Sequence, residues 1–170
     1  FGEHNLQNLQ GALEVCRLMG ISDAEFYNAM KSFKGAARRL ELVKETTSSV
    51  IYKDFAHSPS KLKATTAAFK SQFTSRRLVA CMELHTFSSL NAKFLGEYKD
   101  SMQAADKAYV YFNPHTIEHK KLPPISPQQV KEAFASDNVE VFTDSNLLMQ
   151  ELKAESWCDA NLLLMTSGNF

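Results

Sequence analysis

Residues 49–60 have the sequence SVIYKDFAHSPS, and this stretch decides the fold. Its first part is rich in β-branched and aromatic residues, which is typical of a strand. Pro59 suits the first turn of a helix, because its ring fixes a helical φ and it has no N–H to leave unpaired. The stretch therefore predicts a strand, a turn that carries Asp54 and His57, and a helix.

The same alternation of strand and helix continues along the chain. Predicted strands are ELV (41–43), SVIYKDF (49–55), RLVACMEL (77–84), AYVYF (108–112), VEVF (139–142) and NLLLMT (161–166). Helices are predicted after Pro59, from Phe94 to Met102, after Ser126, and over Leu148 and Leu152, with a proline-containing loop at 113–125. The first two strands can pair as a hairpin. Right-handed crossovers between the others predict an α/β fold, with a mostly parallel, Rossmann-like sheet and helices on both faces.

Two amphipathic helices precede the first strand. Ser22 and Glu25 form a capping-box pattern at the start of the second helix. Each helix has an apolar stripe that predicts a buried face, made of Leu6, Leu9, Leu13 and Cys16 in the first and of Phe26, Ala29, Met30 and Phe33 in the second. Gly35 ends the second helix, and a short linker leads to Arg39.

The composition excludes several classes of protein. Nineteen basic and nineteen acidic residues cancel, so charge indicates neither nucleic acid nor an anionic membrane as a partner. No apolar run is long enough to span a bilayer and no signal peptide is evident, which favours the cytoplasm. The three widely spaced cysteines are expected to be reduced core thiols. Since the chain lacks an initiator Met and stops just after a strand, we expect it to be part of a larger protein.

Polar residues follow three of the predicted strands. In parallel sheets, ligands bind outside the carboxyl ends of the strands, so these residues are expected to face one rim. They are Asp54 and His57 after one strand, Glu83 and His85 after another, and Ser167, Gly168 and Asn169 after the last. No GxxxxGK[ST], GxGxxG or GxSxG motif is present in the sequence.

The strand-end residues and the arginine pair before the first strand have more than one interpretation. Asp54 can accept hydrogen bonds from ribose hydroxyls or hold a metal-bound water, or it can cap the turn that follows. His57 can orient Asp54 or a substrate, or it can be a solvated residue with a local hydrogen bond. Arg38 and Arg39 can contact a phosphate or ribose, or form a solvated linker.

A metal site is not predicted. His115 and His119 have helical ligand spacing, but this pair is not completed to a full ligand set.

Several blocks, in order, resemble one family. They are GEHNLQN (2–8), FKGAARRLELV (33–43), YKDFAHSPS (52–60) and LLLMTSGNF (162–170). Together they resemble the Mur ligases, and are most similar to the branches that join L-alanine or a murein tripeptide to UDP-N-acetylmuramate. The turn in MELHTFSSL (82–90) departs from both branches, since it lacks their usual arginine.

The resemblance implies an ATP-dependent, amide-forming enzyme of peptidoglycan synthesis or recycling. Residues 1–38 would be the helical end of a central ATPase domain, and residues 39–170 the C-terminal domain. An N-terminal UDP-sugar domain and the P-loop would lie upstream, so this fragment alone is expected to be inactive. ATP and Mg²⁺ are the implied cofactors. UDP-N-acetylmuramate and an amino acid or cell-wall peptide are the implied substrates.

The resemblance also implies roles for individual residues. The nucleotide contacts would be His4, Asn5, Asn8, Arg39 and Asp54. Asp54 and His57 would act in catalysis, and the incoming amine would be held by His57, His85, Thr86, Ser167 and Asn169.

Two other functions remain open on the sequence. One is a non-catalytic Rossmann-like module that binds a nucleotide or a cell-wall fragment. The other is a related amide ligase such as a folylpolyglutamate synthetase, against which the paired HN-x-x-N and RR-x-E motifs argue.

Overall fold

The computed structural model describes residues 2–33 and 35–168. The helices are α1 (Glu3–Leu18), α2 (Asp23–Met30), α3 (Pro59–Gln72), α4 (Ala92–Leu95), α5 (Pro114–His119), α6 (Pro127–Phe134) and α7 (Ser145–Ala154). The strands are β1 (Glu41–Glu45), β2 (Val50–Asp54), β3 (Arg77–Glu83), β4 (Lys107–Tyr111), β5 (Val139–Phe142) and β6 (Ala160–Met165). A 3₁₀ turn at Gly96–Tyr98 continues α4.

The six strands form one sheet in the order β1-β2-β6-β3-β4-β5. β1 and β2 pair antiparallel as the predicted hairpin, and every other pair is parallel. The predicted α/β fold with a mostly parallel sheet is therefore confirmed. β6, the last strand in the chain, lies between β2 and β3.

The main core lies on the face of the sheet covered by α3, α4 and α6. Its largest fully buried side chains include Leu62, Phe69, Tyr98, Met102 and Phe134. A smaller cluster on the other face packs α7 against β3, β4 and β6 through Leu148 and its neighbours. β3 is buried almost throughout, which agrees with the prediction of a strand covered on both faces.

Two predicted segments differ in the structure. The loop expected at 113–125 contains α5, whose start is fixed by the Asn113 side chain, which accepts from the His115 N–H, and by Pro114. The single helix expected up to Met102 is a short helix followed by a 3₁₀ turn. It stops there because Lys99 turns to an extended ψ and Asp100 has a positive φ of 57°.

The apolar stripes of α1 and α2 are only partly buried, so this prediction was wrong for several residues. Leu13 and Phe26 are buried, but Leu6 is 63% and Phe33 60% exposed. The periodicity correctly identified apolar faces but gave no information on what covers them. Among the described residues, no helix is both long and apolar enough to cross a membrane.

The three cysteines are free, as expected, but only Cys81 is buried in the core. Cys158 is exposed in the turn before β6, which corrects the prediction of three core thiols.

Candidate functional site

Asp54 ends β2 and its carboxylate is almost fully buried, with 7% of the residue exposed. One carboxylate oxygen accepts from the Leu40 N–H at 2.8 Å and the other from the Ala56 N–H at 2.7 Å. The capping interpretation of this residue therefore describes the observed bonds. Each oxygen keeps a further lone pair, so these bonds leave acceptor capacity for a ligand hydroxyl.

Arg39 and His57 flank Phe55 at the same turn. The Arg39 guanidinium lies 5.7 Å from the centre of the Phe55 ring, and that ring meets the His57 ring edge to face at 5.1 Å. His57 Nδ1 is 2.9 Å from the Phe55 carbonyl oxygen, and the Tyr98 hydroxyl donates to the His57 carbonyl at 2.7 Å. Arg39 is exposed, so this aromatic row positions a cation beside the Asp54 turn without covering it.

A second polar group joins the ends of β3 and β6. Glu83 is buried and accepts a hydrogen bond from the Thr166 hydroxyl. His85 Nδ1 lies 3.5 Å from the other Glu83 oxygen, and the Gly168 N–H donates to the Thr166 hydroxyl oxygen at 2.8 Å. Glu83 is thus a buried carboxylate next to the half-exposed His85, and a negative charge in this position favours the binding of a cation or an ammonium group beside it.

A groove of about 1080 Å³ opens beside this group, between α7 and the sheet. Its polar end is formed by Glu83, His85, Ser167 and Gly168, and its wall by apolar side chains of α7, β2 and β6. The Ser167 hydroxyl is buried and has no hydrogen-bond partner among the residues that the structure describes. Its hydrogen-bonding capacity is therefore not used by any described residue.

Thr86 is engaged in its own loop. Its hydroxyl and backbone N–H both contact the Ser89 hydroxyl at 2.9 Å, and the Ser89 N–H donates back to the Thr86 hydroxyl at 3.1 Å. These reciprocal bonds fix the loop that carries His85.

Three of the predicted nucleotide contacts lie on α1. His4, Asn5 and Asn8 lie on the first turns of α1, where a Cβ built on Gly2 would be 2.9 Å from the Ala68 Cβ of α3. Ala68 is about 14 Å along α3 from Pro59, by the rise of an α-helix. The structure brings Arg39, Asp54 and His57 to one turn, whereas His4, Asn5 and Asn8 lie on α1.

His115 and His119 begin and end the exposed side of α5. His115 Nδ1 is 3.4 Å from Glu118, and both side chains are largely exposed. Within residues 2–33 and 35–168, no group of three metal-ligating side chains is found. Asn169, a predicted amine contact, lies outside the described residues.

The sequence prediction missed the partners of these residues. Thr166 was assigned only to a strand, although its N–H donates to the Asp54 carbonyl at 3.1 Å and its hydroxyl to Glu83. Phe55 was predicted only as the end of a strand, and its contact with the Arg39 guanidinium was not predicted. For Glu83 a sequence signal existed, since a carboxylate at the end of a fully apolar strand needs a specific partner when buried.

Substitution of Gly168 by alanine is expected to destabilise the chain by about 1–3 kcal/mol, the usual cost of overpacking. A Cβ there would lie 2.7 Å from Glu83 Oε2 and 3.1 Å from the His85 ring, and Glu83 is held in place by Thr166. The measurement is urea unfolding of the purified variant.

Gly96→Ala is the matched control. Nothing lies within 4 Å of a Cβ at Gly96 and its φ is −59°, so the variant is expected to be as stable as the parent or slightly more so. Equal unfolding free energies for the two variants would contradict the close packing of the rim at Gly168.

Residues 38–169 match the sequence model of the family described as Mur ligase, glutamate ligase domain. Among curated proteins the chain is similar to UDP-N-acetylmuramate–L-alanine ligase of Acidithiobacillus ferrooxidans, at 29% identity over 170 residues covering 99% of this chain and 36% of that protein. The chain thus spans little more than a third of the length of that relative.

Solved structures share the fold. UDP-N-acetylmuramate–alanine ligase of Thermotoga maritima matches with a TM-score of 0.75 at 17% identity, over 99% of this chain and 35% of that one. A murein peptide ligase of Psychrobacter arcticus matches with a TM-score of 0.69 at 20% identity, over 99% of this chain and 35% of that one. The MurF ligase of Thermotoga maritima, solved in complex with ADP, matches with a TM-score of 0.69 at 16% identity, over 98% of this chain and 35% of that one.

Proposed function

Because this chain belongs to the Mur ligase family and carries its glutamate ligase domain, we propose that it is the C-terminal part of an ATP-dependent ligase of peptidoglycan synthesis or recycling. The proposed reaction joins the amine of an amino acid or cell-wall peptide to the carboxylate of UDP-N-acetylmuramate. The observation that carries the proposal is the convergence of Arg39, Asp54 and His57, from two of the family-like blocks, on one turn of the rim.

We propose that residues 1–38 belong to a central ATPase domain and residues 39–170 to the C-terminal domain. The family match begins at residue 38, which agrees with this boundary. Apolar side chains of α1 and α2 are exposed, among them Val15, Leu18, Met19 and Tyr27. Surfaces of this kind are expected where the remainder of a domain packs.

In the proposed reaction, the muramate carboxylate attacks the γ-phosphate of ATP, which forms an acyl phosphate and releases ADP. The incoming amine then attacks the acyl carbon, and inorganic phosphate leaves as the amide forms. Arg39 is suited to the nucleotide because it is exposed, cationic and held by Phe55. Asp54 has the spare acceptor capacity that ribose hydroxyls require. The described residues offer no three-ligand set for Mg²⁺, so we assign no step in this chain to it.

The second polar group is suited to the amine. An incoming ammonium group would enter the groove at the Glu83–His85 pair, where a buried carboxylate stabilises its positive charge. The Ser167 hydroxyl, which has no hydrogen-bond partner among the described residues, lies at the same end. These residues would orient the amine, and the closed domain would exclude water that hydrolyses the acyl phosphate.

Closure of this domain as a lid would depend on the linker before β1. Arg38 and Leu40 have positive φ angles of 57° and 44°, which are uncommon for side-chain-bearing residues. The Asp54 carboxylate holds the Leu40 N–H in that conformation. Asp54 is therefore both the proposed nucleotide contact and the residue that fixes the linker. Binding of the nucleotide at Asp54 would in this way be coupled to closure of the domain.

The test is phosphate release by the full-length protein supplied with ATP, UDP-N-acetylmuramate and either L-alanine or the tripeptide L-alanyl-γ-D-glutamyl-meso-diaminopimelate. Phosphate release that requires both the muramate and an amine supports the ligase. Nucleotide binding without phosphate release under any of these conditions would instead favour the non-catalytic binding module.

Arg39→Ala in the full-length protein is expected to raise the KM for ATP about tenfold or more, because a charged hydrogen bond to the nucleotide is lost. Since Arg39 is exposed, the unfolding transition should be unchanged. Lys44→Ala, which removes an exposed cation from the same hairpin, is the control and should leave the KM for ATP unaltered. Identical ATP kinetics in the two variants would remove Arg39 from the nucleotide site.

A further inference from the structure

An exposed aromatic ring and a lysine meet at the rim beside the groove. The Lys120 ammonium lies 4.2 Å from the centre of the Phe87 ring, and Phe87 is 61% exposed. Phe87 belongs to the loop after β3, two residues beyond His85, and Lys120 follows α5 after β4. Two separate elements therefore hold one cation at the carboxyl end of the sheet.

Lys120 lies close to the groove. Its backbone N–H donates to the Thr116 carbonyl at 3.0 Å, and Thr116 lines the groove together with Asn113. Residues four apart on a helix share a face, so Lys120 continues the groove-lining side of α5 by one turn. A ligand group above Phe87 would be continuous with a ligand in the groove.

The charge of this cation is not neutralised by an acid of its own segment. Residues 115–121 contain His115, His119, Lys120 and Lys121 but a single acid, Glu118, which faces His115 at 3.4 Å. Among the residues described, no hydrogen bond or ion pair of the Lys120 ammonium is found in addition to its contact with the ring. A cation–π contact at an exposed site contributes only about 0.5–1 kcal/mol and leaves the three N–H donors free.

We propose that Phe87 and Lys120 form a subsite for a carboxylate of the incoming amine substrate. The ring holds the ammonium in place, and the ammonium donates to the carboxylate as a charge-assisted hydrogen bond. Phe87 follows His85 by two residues and Lys120 follows the groove-lining Thr116 by one helical turn, so we infer that the carboxylate bound here is set back from an amine at the Glu83–His85 pair. An acidic peptide has such a carboxylate, whereas the carboxylate of L-alanine is attached to the same carbon as its amine.

This inference rests on the proposed function and assigns the specificity of its amine site. It is tested by steady-state kinetics of the full-length protein with Lys120→Gln, with L-alanine and the acidic tripeptide as the two amines. Lys121→Gln is the matched control, since it removes the same charge from the adjacent exposed residue. Phe87→Leu is a second variant that keeps the lysine but removes the ring.

Lys120→Gln is expected to raise the KM for the tripeptide about tenfold or more and to leave the KM for ATP unchanged. Phe87→Leu should raise the KM for the tripeptide by a smaller factor, and Lys121→Gln should leave the KM for the tripeptide at the parent value. Thermal unfolding of all three variants should match the parent, which separates a binding effect from misfolding.

The subsite is refuted if Lys120→Gln and Lys121→Gln have equal KM values for the tripeptide, or if the loss appears in the KM for ATP. Turnover with L-alanine but not with the tripeptide would refute the set-back carboxylate. Failure of the proposed function gives a different result, since the unsubstituted protein would then release no phosphate with either amine, and the subsite would fall with it.

Discussion

Asp54→Ala is expected to lower the free energy of unfolding by about 2–4 kcal/mol and to abolish most of the proposed ligase activity of the full-length protein. The Asp54 carboxylate accepts from two backbone N–H groups, of Leu40 and Ala56, and the site is buried. Alanine leaves both donors unpaired, each at a cost of about 1–3 kcal/mol before any compensation by water. The observed bonds therefore give Asp54 a structural role in addition to its proposed nucleotide contact.

Two measurements separate the roles of Asp54. Urea unfolding of the chain reports the loss of the backbone bonds, and the KM for ATP of the folded full-length variant reports the proposed ribose contact. Asp54→Asn keeps one oxygen acceptor and should lose less stability than alanine. Asp137→Ala, at an exposed aspartate before β5 and so at the opposite edge of the sheet, should change neither quantity. A destabilised variant with normal ATP kinetics would limit Asp54 to a structural role.

Glutamine at position 155 is expected to destabilise the chain by about 2–3 kcal/mol at neutral pH. Glu155 follows α7, and its side chain is only 8% exposed. Its carboxylate accepts from Arg77 at 2.6 Å and Tyr109 at 2.6 Å, and it pairs with Lys107 at 2.7 Å. Burial acts to raise the pKa of Glu155, but the hydrogen bonds from Lys107, Tyr109 and Arg77 outweigh it and lower the pKa to about 2.

The sign of the pH dependence follows from that lowered pKa. A carboxyl whose pKa is lower in the folded state contributes stability above its ordinary value of 4.5, and the contribution is lost as the pH falls toward 2. The difference in unfolding free energy between the parent and Glu155→Gln should therefore be largest above pH 4.5 and shrink steadily below it. Urea unfolding of both proteins at several pH values between 7 and 2.5 measures this difference.

Glu140→Gln is the control for the ion-pair network, which consists of Glu155 with Arg77 and Lys107. Glu140 lies 3.6 Å from the same Lys107 ammonium but its side chain is 47% exposed, so its removal should cost less than about 1 kcal/mol. A Glu155 variant that behaves like the Glu140 variant, or a difference that grows on acidification, would contradict the assignment of the network to stability.

The fold followed from the sequence where local patterns determine structure. The β2 strand, its polar turn and the α3 helix were all specified within residues 49–60, and β3 was recognised by its unbroken apolar run. The faces of α1 and α2 were recognised as apolar, but their burial depends on partners that periodicity does not identify. Helix α5 was not predicted, because it is only six residues long and lies in a segment with three prolines, of which Pro114 starts the helix and Pro123 and Pro124 follow it.

The site was predicted less completely, because its bonds join residues distant in sequence. Asp54 was identified, but its bond to the Leu40 N–H spans the hairpin and has no local pattern. The Thr166–Glu83 bond exists because β6 pairs with β3, and that strand order is not encoded in any local stretch. Phe87 and Lys120 likewise meet only because β3 and β4 are neighbours in the sheet.

The place of β6 in the sheet also has a consequence for biosynthesis. β2 and β3 do not pair, and each is joined to the other only through the last strand of the chain. During synthesis, β2 of the β1–β2 hairpin and β3 of the β3-β4-β5 strands each have an unpaired edge until residues 160–165 have been made. We therefore expect the nascent chain to be most prone to aggregate in this interval, and β6 to complete the sheet by insertion between β2 and β3.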